Sequence, residues 1–277
     1  MGVLYVVATP IGNLEDVTLR VLRLLGEADL VLAEDTRRTR ILLERHGIAA
    51  KPISLHAHNE AARVGRVLET LEAGGVVALV SDAGTPLVSD PGARLVAAAL
   101  EADHTVSPIP GPSAPLAALS AAGLASERFS FVGFLPRRVG ERGALLESLS
   151  TRPETLIFFE SPRRLAETLR ALHRALGDRS ACVARELTKR HEELARGPLT
   201  ALAERFAEGA KGEVTIVVAG ATPPPPPDVA AGALDPAIRA GLETGRSSKD
   251  LAAELALEHG ASRRQVYARV VALKQGD

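Results

Sequence analysis

Short apolar runs alternate with helix-period segments from the start of this 277-residue chain, and that alternation is what most constrains its fold. Leu4–Thr9, Leu30–Ala33, Pro52–Leu55, Val76–Val80 and Thr105–Ile109 read as strands. Between them lie helical candidates such as Asn59–Ala73, where Val64, Val67, Leu68 and Leu71 share a face before Gly74-Gly75 ends it. Such alternation predicts a largely parallel sheet covered by helices. The pattern restarts after Pro110-Gly111-Pro112, with Phe129–Leu135, Thr155–Phe159, Ala181–Ala184 and Val214–Ala219 as later strands. The expected class is α/β, with domains at 1–112 and 113–222, both of ordinary domain size.

Five consecutive prolines, Pro223 to Pro227, predict a stiff spacer over 223–228. Beyond it, Ser247-x-x-Asp250 and Ser262-x-x-Gln265 read as capping-box helix starts. Leu251 and Leu255 line one helix, Val266, Val270 and Leu273 the next, and Gly260 separates them. Residues 229–277 are thus expected to form a small helix-turn-helix-like tail. Arg263, Arg264 and Arg269 make it a nucleic-acid contact or, equally, a packing element.

The net charge of −1 assigns any nucleic-acid contact to local basic clusters. The lack of Trp and scarcity of other aromatics argue against base stacking as the main mode of recognition. A single cysteine, Cys182, excludes internal disulfides and Cys-rich zinc sites and suits a reducing cytosol. The LYVVAT start lacks a signal peptide's basic region and long apolar core, and no run is long enough to span a bilayer. The expectation is a soluble cytoplasmic protein.

Val76–Val80 ends in Ser81-Asp82 and a Gly84-Thr85-Pro86 turn, at the strand edge where open α/β sheets bind ligands. Asp82 offers a carboxylate, Gly84 is expected to let backbone approach a small molecule, and Asp90 is expected to cap the next helix with Pro91 in its first turn. A purely structural turn could share this composition. No G-x-G-x-x-G follows the first strand, and no P-loop, H-E-x-x-H or nucleophile elbow occurs. His56-x-His58 lacks carboxylates at metal spacing and reads as a polar loop. Similar polar loops close the other strands, placing Gly, Pro, hydroxyl and acidic residues along one edge of two sheets, and a cleft between domains suits a small ligand.

ATPIGNLED, AEDTRRT, HNE at His58–Glu60, VSDAGTP-x-x-SDPG, PGPSA, GFLPRR, FESP and RELTK, in that order, resemble the bacterial 16S rRNA cytidine 2'-O-methyltransferases of the tetrapyrrole methylase family. The likeness covers about Leu4 to Gly220. It implies two αβα domains with S-adenosylmethionine folded in the cleft between them, no metal, a helical C-terminal extension and a homodimer. Its motifs imply donor contacts at Pro10, at Asp82, Gly84 and Thr85, at Ser113 and Ala114, and in the second domain near Glu160, Leu187 and Thr215. It also implies a substrate cytidine in the decoding centre of 16S rRNA, within the assembled 30S subunit. The family's F-Y-E-S-P-H-R is altered here to Phe159 and Arg163, so no role is carried over for that tyrosine hydroxyl or imidazole.

A ribose hydroxyl is a poor nucleophile, so the protein must align it and help remove its proton. Lys189 is the first candidate, provided burial lowers its pKa, and Glu186 the second; the alternative is an ion pair that only shapes the cleft. Arg37, Arg38, Arg138 and Arg164, with Arg142 nearby, are expected to grip RNA phosphates. Two other readings share the fold: a tetrapyrrole methyltransferase, disfavoured because Thr9-Pro10-Ile11-Gly12-Asn13 replaces a G-x-G-P-G-D turn, and a non-catalytic ribosome assembly factor.

Overall fold

The computed structural model describes residues 2–56, 59–222 and 234–274; the predicted proline spacer and His58 lie outside the described residues. Contacts divide the chain into two units, Met1–Ala221 and Thr222–Asp277.

The first sheet holds β1 (Val3–Val7), β2 (Leu30–Ala33), β3 (Ile53–Ser54), β4 (Val76–Val80) and β5 (Thr105–Ile109) in the order β3-β2-β4-β1-β5. Every pairing is parallel. Four helices, α1 (Leu19–Glu27), α2 (Thr36–Arg45), α3 (Glu60–Glu72) and α4 (Ala93–Glu101), cover it. Strand side chains alternate between its faces. Val31, Ala33, Ala78 and Val80 pack with Val21 and Leu25 of α1 and Leu43 of α2. Leu30, Leu32, Val77 and Leu79 pack on the other face with Val67 and Leu71 of α3 and Leu95 of α4. Burial on both faces is why these strands read as unbroken apolar runs.

The second sheet holds β6 (Phe129–Phe134), β7 (Thr155–Glu160), β8 (Ser180–Arg185), β9 (Glu193–Pro198) and β10 (Val214–Val218) in the order β6-β7-β10-β8-β9. Here the expectation of a parallel sheet needs correction. Only β6 and β7 run parallel, and the other pairings are antiparallel. Helices α6 (Val139–Leu149), α7 (Leu165–Leu176) and α8 (Leu199–Arg205) cover one face, around Leu156, Phe158, Val183 and Ile216. α5 (Ala114–Ala122) covers the other, against Ile157, Cys182, Ala184 and Val217.

The second unit contains α9 (Asp235–Glu243), α10 (Ser248–Glu258) and α11 (Arg263–Lys274) around Ile238, Leu251, Leu255, Val266 and Val270. Ser247 caps α10 by accepting from the Asp250 N–H at 3.2 Å. Arg269 reaches back to Asp235 at 2.5 Å, so it ties α11 to α9 and is not a free phosphate ligand. Among the described residues no helix is long and apolar enough to cross a membrane.

Candidate functional site

A cavity of about 450 Å³ lies in the first unit where loops of the two sheets meet, within the usual range for small-ligand sites. Its first wall comes from the carboxyl ends of parallel strands: Ile11 after β1, Glu34 and Arg38 after β2, and Asp82, Ala83, Ser89 and Asp90 after β4. Its second wall joins the ends of β7 and β8 to the start of β10, because β10 runs antiparallel to both. Phe159, Glu160, Ala184, Leu187, Val214 and Thr215 line that side.

The loop after β4 is braced by backbone. Thr9 N–H donates to the Gly84 carbonyl at 2.8 Å, and Gly84 N–H returns a bond to the Thr9 carbonyl at 3.0 Å. The Ser81 hydroxyl donates to the same Gly84 carbonyl, and the Thr9 hydroxyl to the Ser81 carbonyl, both at 3.1 Å. Gly84 sits at φ +84°, where an L side chain is strained. Its glycine is therefore required for this bridge, and its polar groups are used there. The Thr85 hydroxyl donates to the Pro112 carbonyl at 3.4 Å, tying the loop to the turn that starts α5. Of the donor contacts implied by the resemblance, Asp82, Ala114, Glu160, Leu187 and Thr215 line the cavity, whereas Pro10, Gly84, Thr85 and Ser113 do not.

The charged side chains differ in how far they are already engaged. Asp82 accepts from the Asp35 N–H at 2.7 Å and lies 3.8 Å from Arg38. Buried Glu160 accepts from the Ser161 N–H at 2.7 Å and the Thr168 hydroxyl at 2.6 Å, with Arg164 at 3.6 Å. Phe159 packs against Phe131 and Phe134 at ring separations of 4.9 and 5.5 Å and gives this wall an apolar surface.

Lys189 and Glu186 do not line the cavity. The Lys189 ammonium is 2.9 Å from Glu186 and 3.1 Å from Glu213. Burial works to lower its pKa, but hydrogen bonds and charge from these two carboxylates outweigh it, so the group stands above the ordinary lysine value. A lowered pKa was the condition for Lys189 to act as base, and the structure removes it. Hydrogen bonds from the Glu213 backbone and from Lys189 hold Glu186 below the usual carboxylate range. The pair shapes a turn in which Glu186 and Thr188 both adopt positive φ.

The four arginines expected on RNA separate. Arg37 is exposed and paired with Asp35 at 2.6 Å, and Arg138 is exposed beside Glu141 at 3.0 Å. Arg38 lies on the cavity rim between Asp82 and Glu213, at 3.8 and 3.9 Å. Arg164 is occupied by the Leu135 and Pro136 carbonyls as well as Glu160. Nearby Arg142 is buried and paired with Glu167 at 2.5 Å.

Three lining carboxylates, Glu34, Asp90 and Glu213, were not singled out from sequence as chemical groups. Glu34 is raised by burial and by the charges of Asp82 and Asp90, with Arg38 opposing. Asp90 is raised to about 6, chiefly by burial, with the Ser81 hydroxyl opposing and Asp82 adding to the rise. Asp90 does not cap α4, as its place before Pro91 had suggested. Gly92 at φ +121° takes that position, and Asp90 is left facing the cavity. The Ser-Asp-Pro-Gly string was its only sequence signal.

Residues 3–203 match the family model of the tetrapyrrole (corrin/porphyrin) methylases. The chain is 55% identical to the ribosomal RNA small subunit methyltransferase I of Mesorhizobium japonicum, covering 78% of this chain and 74% of that one. It is 47% identical to the protein of that name from Synechocystis, over 96% of both chains. Among solved structures, diphthine synthase has a TM-score of 0.60 at 18% identity, covering 79% of this chain and 90% of that one. Thermus thermophilus uroporphyrin-III C-methyltransferase complexed with S-adenosyl homocysteine has a TM-score of 0.55 at 24% identity, covering 78% and 97%. At these identities the structural likenesses carry the fold alone. From family model and relatives together, this chain belongs to the tetrapyrrole methylases and, within them, to the ribosomal RNA small subunit methyltransferase I family.

Proposed function

We propose that this protein transfers a methyl group from S-adenosylmethionine to the ribose 2'-hydroxyl of a cytidine in the decoding centre of 16S rRNA, within the 30S subunit. The observation that carries the reading is the cavity walled by the VSDAGTP loop on one side and by the β7, β8 and β10 ends on the other. That cavity is a fit for the donor. Ile11, Phe159 and Leu187 offer apolar surface, while Glu34, Asp82 and Asp90 against the single cation Arg38 give its lining an excess of negative charge. Such a field favours a cationic sulfonium.

When bound, the donor supplies an already activated methyl group. The protein's task is to position the hydroxyl, exclude water and receive a proton. The braced Thr9–Gly84 bridge keeps the first wall fixed. Exposed Arg37 and Arg138 meet RNA phosphates, whereas Arg38 and Arg164 act within the protein at the cavity edge. The domains at 1–112 and 113–222 hold the donor, and the 229–277 tail beyond the 223–228 spacer assists docking to the subunit. The family resemblance supports a homodimer working in the cytoplasm, and light scattering after size exclusion tests the dimer. A tetrapyrrole substrate has only the fold in its favour.

The decisive experiment incubates the protein with labelled S-adenosylmethionine and small subunits from a strain lacking this activity, then maps the modified nucleotide. Label on a 16S rRNA cytidine ribose is expected. Label on tetrapyrroles alone, or donor binding without transfer, would overturn the reading. Asp82→Ala should weaken donor binding about tenfold in calorimetry, the loss of one charge-assisted interaction.

A further inference from the structure

With Lys189 held protonated, the proton leaving the ribose hydroxyl needs another destination. The charged groups lining the cavity are Glu34 and Arg38 from the β2–α2 segment, Asp82 and Asp90 from the segment after β4, and Glu160 and Glu213 from the second half. Four of these six are poorly suited to accept it. Arg38 is a cation. Glu160 is buried and uses both carboxylate oxygens on Ser161 and Thr168. Asp82 accepts from Asp35 and faces Arg38. Glu213 is exposed and bound by Lys189 and Arg38. Glu34 and Asp90 remain, and among the described residues neither forms an ion pair. Arg38 still lowers the affinity of Glu34 for a proton, and no cation acts on Asp90 in the same way.

The backbone holds Asp90 in place. Leu87 and Ser89 have φ of +73° and +70°, and Gly92 follows at +121°, so three of six consecutive residues are left-handed. Sparsely populated backbone of this kind persists where the surrounding structure enforces it. The loop has neighbours on both sides. A Cβ built at Gly92 would lie 2.7 Å from Leu79 of β4, and one at Gly133 of β6 would lie 3.4 Å from the Ser89 hydroxyl. The segment thus lies beside both β4 and β6, with Asp90 on the cavity wall.

We propose that Asp90 accepts the ribose hydroxyl proton during methyl transfer. The proposal rests on the methyltransferase reading above. As the ribose oxygen bonds to the methyl carbon, the carbon–sulfur bond breaks and its electron pair goes to sulfur. The proton leaves the oxygen for a carboxylate oxygen of Asp90 and passes on to water. Atoms and charge balance without another reactant: the sulfonium loses its positive charge, and one proton is released. A carboxyl near 6 is ionised at neutral pH yet more basic than an ordinary aspartate, which suits proton transfer.

Asp90→Asn keeps the size and removes the acceptor. Small-subunit methylation should fall roughly 100-fold or more in kcat. Affinity for S-adenosylhomocysteine, which lacks the sulfonium charge, should stay within about threefold in calorimetry, showing an intact cavity. The wild-type acid limb near pH 6 should vanish in Asp90→Asn, and Asp90→Glu should recover part of the rate. Carbon-13 titration of the protein alone should show an aspartate carboxyl changing near pH 6 that is missing from Asp90→Asn. Wild-type rate or an unchanged acid limb in Asp90→Asn would overturn the proposal while leaving the methyltransferase reading intact. Failure of the wild type to methylate small subunits would overturn both.

Discussion

The Thr188 hydroxyl accepts a hydrogen bond from the Asn13 backbone N–H at 3.0 Å, across 175 residues of sequence. The contact seats the turn after β8 on the loop after β1, and Gly12 makes room for it. A Cβ at Gly12 would lie 2.5 Å from Lys189 Cγ and 2.9 Å from the Thr188 hydroxyl. Gly12→Ala should therefore destabilise the first unit by roughly 1–3 kcal/mol through overpacking. A lower thermal midpoint is expected, together with weaker S-adenosylmethionine binding; an unchanged midpoint would show that the turn is not seated there.

Asp90 also governs a piece of pH-dependent stability. Its folded pKa, about 6, lies above its ordinary value of 3.8. The folded state therefore holds this proton more tightly, and the associated stability is full below pH 3.8 and lost as pH rises through 6. Asp90→Asn removes this dependence. Relative to wild type, the variant should gain stability between pH 4 and pH 7.5, by on the order of 1 kcal/mol after allowance for solvent screening. Thermal melts of both proteins across that range provide the check, and parallel curves would refute it.

Arg37 and Arg138 are exposed, and each has an acidic neighbour of its own. Arg37→Glu combined with Arg138→Glu should weaken small-subunit binding most at low salt. The plot of log affinity against log salt should become shallower by about two, since two phosphate contacts release fewer counterions. Donor affinity should hold steady. Equal losses of donor and subunit binding would place these arginines in the cavity's support.

A chain ending at Thr222 removes the second unit, whose apolar core is its own. It should still fold, bind S-adenosylmethionine and dimerise, while methylating limiting small subunits less efficiently. Undiminished methylation would make the tail dispensable.

The first sheet was legible because its strands are buried on both faces, which leaves continuous apolar runs such as Val76–Val80. β9 escaped notice because it is an edge strand: Ala195 is its only buried residue, and Glu193, Arg196 and Gly197 interrupt any pattern. The direction of the second sheet was hidden because antiparallel strands joined across long connections look the same in sequence as helical crossovers. α9 was overlooked although Asp235-Pro236 at its start is an ordinary helix opening. At the site, motif order located the loops but not the duties of their side chains. Lys189 in Arg-Glu-Leu-Thr-Lys suggested a base until Glu213, 24 residues away, supplied a second carboxylate. Asp90 read as a helix cap because the left-handed turn at Gly92 cannot be seen in a string of letters.

Over the cavity rim runs a chain of charges from Asp82 through Arg38 and Glu213 to Lys189. Both Arg38 contacts are near 4 Å, and the Arg38 and Glu213 side chains are more than half exposed. Pairs of this kind contribute little and weaken as ions are added. The residence time of spent donor should then shorten as salt rises, while salt loosens the grip on RNA. Turnover limited by product escape at low salt and by RNA capture at high salt should pass through an optimum in ionic strength. Arg38→Ala should move that optimum toward lower salt, measurable by steady-state methylation across a salt series.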